Sequence, residues 1–143
     1  MKIFLIRHGE TTGDVENRYG GTYDDHLSSK GEEQSKALAA ALATTGIEAI
    51  FASSLIRAQE TASILANSTN STVETIADLE ERNQYSFLSG MNKNEAREKY
   101  PTEVEALKDR LTTIEGLKAM MTSPNVLFLH LRSALLQTIL PLP

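Results

Sequence analysis

Apolar positions along the chain fall into two patterns: short continuous runs, and longer stretches in which they recur every three or four residues. The run Lys2 to Arg7, rich in Ile, Phe and Leu and bounded by Gly9, predicts a buried parallel strand. Residues 9–30 carry Gly13, Gly20, Gly21 and an Asp24-Asp25 pair and predict a loop. From Gly31 to about Thr45, Leu38 and Leu42 stand at i, i+4 among alanines, the pattern of a helix that Gly46 stops. Ile47 to Ala52 predicts a second strand. Ser53 or Ser54 then caps a helix with Ala58, Thr61, Ala62 and Leu65 on one face. Thr72 to Ile76 predicts a third strand and residues 78–93 a loop. Pro101 opens a helix with Val104, Leu107, Leu111 and Ile114 on one side, and Val126 to Leu131 suits a fourth strand.

Strands alternating with helices predict an α/β domain with a mostly parallel sheet. Ligands of such sheets bind beyond the carboxyl ends of the strands. Arg7-His8-Gly9 leaves the first strand at that edge, Ser53 to Arg57 leaves the second, and Glu80-Glu81 follows the third. One histidine, two arginines and a carboxylate thus converge. That set suits phosphoryl transfer.

The composition narrows the setting. A chain of 143 residues is one domain's worth, and 41% hydrophobic with 23% charged residues is an ordinary globular balance. No apolar run approaches the roughly 20 residues of a membrane span, and the N-terminal run is too short for a signal-peptide core. With no cysteine, disulfides and thiolate chemistry are excluded. A net charge of −5 argues against a general nucleic-acid binder while leaving room for a local cationic pocket. The expected location is the cytoplasm.

Arg7-His8-Gly9-Glu10-Thr11 after a first strand resembles the signature of the histidine phosphatase superfamily, which includes the cofactor-dependent phosphoglycerate mutases. The resemblance continues through Leu27-Ser28, Gly31 and Gln34, through Ser53 to Ala62, and through Leu79-Glu80-Glu81-Arg82. It covers most of residues 1–116 and implies a three-layer sandwich of a mostly parallel sheet flanked by helices.

The chemistry of the residues stands beside the resemblance. A neutral imidazole is a good nucleophile near pH 7 if its other ring nitrogen is held, which backbone after Gly9 can supply. The plainer alternative for His8 is a histidine satisfied at a strand end. A phosphate needs fixed cationic donors, and Arg7 and Arg57 match the family's phosphate-binding arginines. A cation on the first turn of a helix opposes the helix dipole, an odd place for Arg57 without an anion. Glu81 matches the family's acid and is the expected proton donor, with Glu80 its nearest rival. The resemblance further implies substrate contacts at Gly9, Thr11, Asn17 and Gly20. Asp14 stands where many members have asparagine, and no direct phosphate contact is assigned to it. His26 reads as a surface loop residue. The histidines and carboxylates lack metal-ligand spacing, and the resemblance implies no metal or organic cofactor.

The family's second histidine, followed by glycine, has only His130 as a counterpart, and there Leu131 replaces the glycine. A core or exposed histidine is the better reading of His130. The surrounding tail is unusual. All 19 acids lie in residues 1–116, where twelve cations leave a net −7, whereas residues 117–143 hold Lys118, Arg132 and no acid, a net +2. Met120-Met121-Thr122 is encoded ATG ATG ACN, which reads Asp-Asp one frame over. Codons for the preceding residues permit Leu-Glu-Ser-Tyr before it, close to a segment common in the family. The expectation is a histidine phosphatase-like domain over 1–116 and an out-of-frame tail over 117–143, with a sheet edge left open by the loss of the later strand.

The function expected is a phosphomonoester phosphatase working through a phosphohistidine at His8. The alternatives are a phosphoglycerate mutase-type isomerase and a phosphate-binding remnant disabled by loss of the second histidine. Phosphatase is preferred because no long lid insertion follows the acid motif. The expected partner is a small phosphorylated metabolite, with no nucleic acid, no membrane, and a homodimer admissible.

Overall fold

The computed structural model describes residues 2–81, 83–112 and 127–129. Nine elements of helix and strand follow one another among them: β1 (Phe4–Ile6), α1 (Thr12–Val15), α2 (Ser29–Leu42), β2 (Ala49–Ala52), α3 (Ile56–Thr69), β3 (Thr72–Thr75), α4 (Lys93–Lys99), α5 (Pro101–Thr112) and β4 (Leu127–Leu129). Two short 3-10 turns, Ala77–Leu79 and Ser86–Leu88, lie between β3 and α4.

The strands pair in parallel, as the α/β alternation predicts. β2 and β3 run side by side with Ala49 opposite Thr72 and Ala52 opposite Thr75, and α3 makes the crossover between them. β1 pairs with β4, Phe4 opposite Leu127 and Ile6 opposite Leu129. Among the described residues the four strands thus form two parallel pairs, and β1 has a partner on one side.

The first core lies between strands and helices. Leu38, Ala39 and Leu42 of α2 pack with Leu65 of α3, and Phe4, Ile6, Ile47, Ile50 and Ile64 close around them. Burying each such leucine contributes roughly 1.5–3 kcal/mol. β1 and β2 are covered on one face only, contrary to the expectation for Lys2–Arg7. Leu5 and Phe51 point the other way and remain 53% and 54% exposed, because α2 and α3 cover the same face. A second core joins Tyr19, Leu88, Ala96 and Leu107, with Tyr85, Met91, Tyr100 and Val104 against them. It ties the loop after α1 to α4 and α5.

Several local expectations are corrected. α1 falls in a stretch expected as loop, and α4 lies almost wholly in residues 94–100, for which no element is predicted; each buries a single residue, Gly13 or Ala96, too few for a helical period to show. α2 starts at Ser29, with the Ser28 side chain accepting from the Gly31 N–H. α3 is not capped by Ser53 or Ser54. Its N-cap is Leu55, and the Asp24 carboxylate accepts from the Ile56 N–H at 2.7 Å. Leu111 lies in α5, but its side chain, with Ile114 and His130, lies outside the described residues.

Gly9 and Gly31 meet at the base of the site. A β-carbon at Gly31 would overlap the Glu10 carbonyl oxygen, and one at Gly9 would overlap that of Gly31. This contact seats the segment after β1 against the start of α2.

Candidate active site

The segments after β1, β2 and β3 converge on one open cleft. Arg7, His8, Thr11, Gly20, Arg57 and Glu81 line it, so six of the residues singled out in the sequence meet in one place. Asp14, Arg18, Tyr19, Tyr23 and Tyr85 complete much of the wall. Gly9 is buried beneath, its N–H donating to Thr61 Oγ1 at 3.4 Å. Asn17 does not line the cleft. Its backbone turns left-handed there, φ 56°, and its carbonyl accepts from the Lys93 N–H.

His8 is oriented by its own neighbour. Its Nδ1 lies 2.7 Å from the Gly9 carbonyl oxygen, an acceptor only, so Nδ1 carries the proton and donates. Nε2 is left with its lone pair. On that side the Arg57 Nε–H donates to Nε2 at 3.2 Å. Burial holds the imidazole below its ordinary pKa, and the Arg57 and Arg7 charges push the same way, while the Gly9 bond works against them. A neutral ring near pH 7 whose unprotonated Nε2 faces the cleft is a competent nucleophile once the Arg57 N–H is passed to the phosphoryl group.

Arg57 is held on every side. Its side chain is 3% exposed. Nη1 donates to the Tyr23 carbonyl at 2.7 Å and to Asp25 Oδ1 at 3.1 Å, and Nη2 donates to the Gly21 carbonyl at 2.9 Å. Glu81 Oε2 lies 3.5 Å from Nη2. The fixed fork of a guanidinium suits this arrangement, and the anion that its place near a helix start calls for is Asp25. Arg7, in contrast, is exposed and has no hydrogen-bond or ion-pair partner among the described residues.

Two carboxylates separate cleanly. Glu81 faces the cleft, whereas Glu80 accepts from the Ser54 hydroxyl and is not among the lining residues. Asp14 lines the cleft but is turned to the backbone: its Oδ2 accepts from the Thr11 N–H at 3.1 Å, and Thr11 Oγ1 accepts from the Asp14 N–H in return. His26 lies on the surface, as expected, 2.6 Å from Glu60. Among the described residues no three His, Asp or Glu side chains gather as a metal would need, and no helix is long and apolar enough to cross a membrane.

Asp25 went unnoticed in the sequence except as half of a polar loop pair. Its side chain is 4% exposed, and Oδ2 accepts from the Gly13 N–H at 2.9 Å. The available signal was two consecutive acids in a loop bracketed by Gly20-Gly21 and Leu27, with one more carboxylate than a turn needs.

Comparison with known proteins bears on this geometry. The model of the histidine phosphatase superfamily (branch 1) matches residues 3–123. A 2,3-bisphosphoglycerate-dependent phosphoglycerate mutase of Sinorhizobium fredii is 41% identical over 106 residues, 71% of this chain and 50% of the relative. Among solved structures, Mycobacterial hydrolase 1 superposes with a TM-score of 0.60 at 30% identity, covering 66% of this chain and 45% of that one. The mycobacterial glucosyl-3-phosphoglycerate phosphatase does so with 0.59 at 29% identity, covering 70% and 47%. The chain spans about half the length of the curated relatives it matches.

Proposed function

The chain belongs to the histidine phosphatase superfamily, and on that footing we propose that it hydrolyses small phosphomonoesters through a phosphohistidine at His8. The observation that carries the proposal is the orientation of His8, with Nδ1 held by the Gly9 carbonyl and Nε2 facing the cleft beside Arg57.

In the first step Nε2 attacks phosphorus, an N–P bond forms and the ester P–O bond breaks. Glu81 gives its carboxyl proton to the departing alkoxide. Arg57 and Arg7 bind the phosphoryl oxygens, Arg57 passing its Nε–H from the imidazole to the phosphoryl group. In the second step the Glu81 carboxylate takes a proton from water as the water attacks phosphorus. The N–P bond breaks, inorganic phosphate leaves and neutral His8 returns.

A second reading is favoured by one observation: the Sinorhizobium relative, at 41% identity, is a phosphoglycerate mutase. In that reading a phosphoglycerate, in place of water, takes the phosphoryl group from His8. Incubation with a ³²P-labelled phosphomonoester, followed by peptide mass mapping, tests both. Acid-labile label on His8, lost in His8→Ala, is expected. Transfer to water gives phosphatase, and transfer to phosphoglycerate gives mutase. Phosphate binding with no label sinks both and leaves a phosphate-binding remnant.

A further inference from the structure

Three successive residues of the loop before α2 grip the start of α3. The Tyr23 carbonyl accepts from Arg57 Nη1, Asp24 from the Ile56 N–H, and Asp25 from Arg57 Nη1. The Tyr23 and Gly21 carbonyls would hold Arg57 in place without Asp25. What Asp25 adds is a full negative charge, buried with the guanidinium and shared with the Gly13 N–H of α1.

Gly13 fits that carboxylate. A β-carbon there would lie 2.5 Å from Asp25 Oδ2 and 3.2 Å from the Tyr23 ring, so any side chain at 13 drives the carboxylate from its seat. The pair Gly13 and Asp25 is one device.

We propose that Asp25 is a positioning residue that neutralises Arg57, so that Arg57 enters the site as a fixed hydrogen-bond donor while Arg7 supplies the free positive charge that draws in phosphate. The inference rests on the reading of His8 as phosphoryl acceptor. Its physical sense lies in turnover. An unpaired guanidinium behind the phosphoryl site would attract substrate, transition state and phosphate product alike, and uniform binding does not speed the chemical step. A guanidinium already paired contributes directed donors at little cost in product retention.

The test is Asp25→Asn, which keeps the shape and an acceptor for Arg57, removes the charge, and gives up the acceptor for the Gly13 N–H. A unit charge uncovered several ångströms from the phosphate, in a partly screened site, corresponds to roughly tenfold in binding. Inorganic phosphate, followed by calorimetry, is therefore expected to bind about tenfold more tightly, while kcat falls as product is retained. The groups facing His8 are Arg7 beside it, Asp14 of α1 and Arg57 of α3, with Asp25 and Glu81 acting through Arg57. Uncovering Arg57 is expected to move the His8 titration, followed by NMR, to lower pH. A merely structural aspartate moves neither phosphate affinity in this direction nor the His8 titration.

Gly13→Ala displaces the carboxylate from the other side and gives the same two shifts, which keeps the test alive if Asp25→Asn does not fold. In an Asp25→Ala background, which leaves room for the methyl, Gly13→Ala adds no further change. Wild-type phosphate affinity and wild-type His8 titration in folded Asp25→Asn overturn the inference. Failure of the wild-type protein to label His8 is a separate result, and it overturns the reading of His8 instead.

Discussion

The Nε–H of Arg57 donates to Nε2 of His8 across 3.2 Å, joining two side chains 49 residues apart in the chain. The bond depends on a buried scaffold of Asp25 and two backbone carbonyls, which fixes the guanidinium before any ligand arrives. Preorganised donors act without reorganisation at the moment of reaction, which is where their effect on rate comes from.

Arg57→Ala is accordingly expected to fail in two measurements at once. Loss of one such donor lowers kcat about 10²–10³-fold. Leaving the Asp25 carboxylate buried without its partner lowers folding stability by about 3 kcal/mol in urea unfolding. Arg57→Lys restores a charge, but one ammonium cannot reach Asp25, the Tyr23 and Gly21 carbonyls and His8 together. It is expected to recover part of the stability and little of the rate. Full activity in Arg57→Lys would show that only charge matters.

The pH dependence follows from His8. Burial and the two arginines hold it below its ordinary value of 6.5, so the neutral nucleophile persists to lower pH than a free imidazole would allow. The acidic limb of kcat/KM is expected to have its midpoint below 6.5, and Arg7→Gln is expected to move that midpoint upward by removing one of the charges. A limb at or above 6.5 in the wild type contradicts this account.

Much of the site was legible because chemistry and topology coincide in the sequence. Arg7, His8, Arg57 and Glu81 each follow a strand, and an α/β sheet brings strand ends together. The sequence favours Glu81 over Glu80 through its motif match, and in the structure Glu80 accepts from the Ser54 hydroxyl while Glu81 lines the cleft. The rest depended on long-range contacts that no local pattern carries. α3 starts on Asp24, 32 residues upstream, instead of on the adjacent serines. Asp25 looks like any loop acid until the fold buries it. α1 and α4 are too short, and bury too little, to leave a period.

The close approach of Gly9 and Gly31 gives a prediction about the fold. A methyl on either overlaps backbone, which cannot step aside as a flexible side chain can. Gly31→Ala is expected to destabilise by about 2–3 kcal/mol, within the range for overpacking of a tight site. Because this contact seats the segment carrying His8, Gly9→Ala is expected to lower activity even in the folded fraction. Wild-type unfolding midpoints in both variants would refute the contact.

On the surface, His26 and Glu60 form a pair whose contribution has a definite sign. The carboxylate raises the histidine pKa above 6.5. The folded state thus binds the proton more tightly than the unfolded chain, so the stabilisation is fully present below the unfolded value and is lost as pH rises through the folded one. His26→Gln is expected to lower Tm more at pH 5.5 than at pH 8.5. The difference is small because the pair is solvent-exposed, and it shrinks in high salt. A larger effect at pH 8.5 would reverse the sign.

The charge asymmetry of the chain has its test in the coding DNA. The match to the histidine phosphatase superfamily ends at residue 123, so most of the acid-free stretch lies beyond it. Insertion of one base, or removal of two, near Gly116 is expected to restore Leu-Glu-Ser-Tyr-Asp-Asp, followed after a predicted strand by His-Gly. The restored protein is then expected to bind inorganic phosphate more tightly than the 143-residue chain, through that second histidine. A frame confirmed by resequencing, with no His-Gly in either alternative frame, makes residues 117–143 native sequence. The cleft then works with Arg7, Arg57, His8 and Glu81.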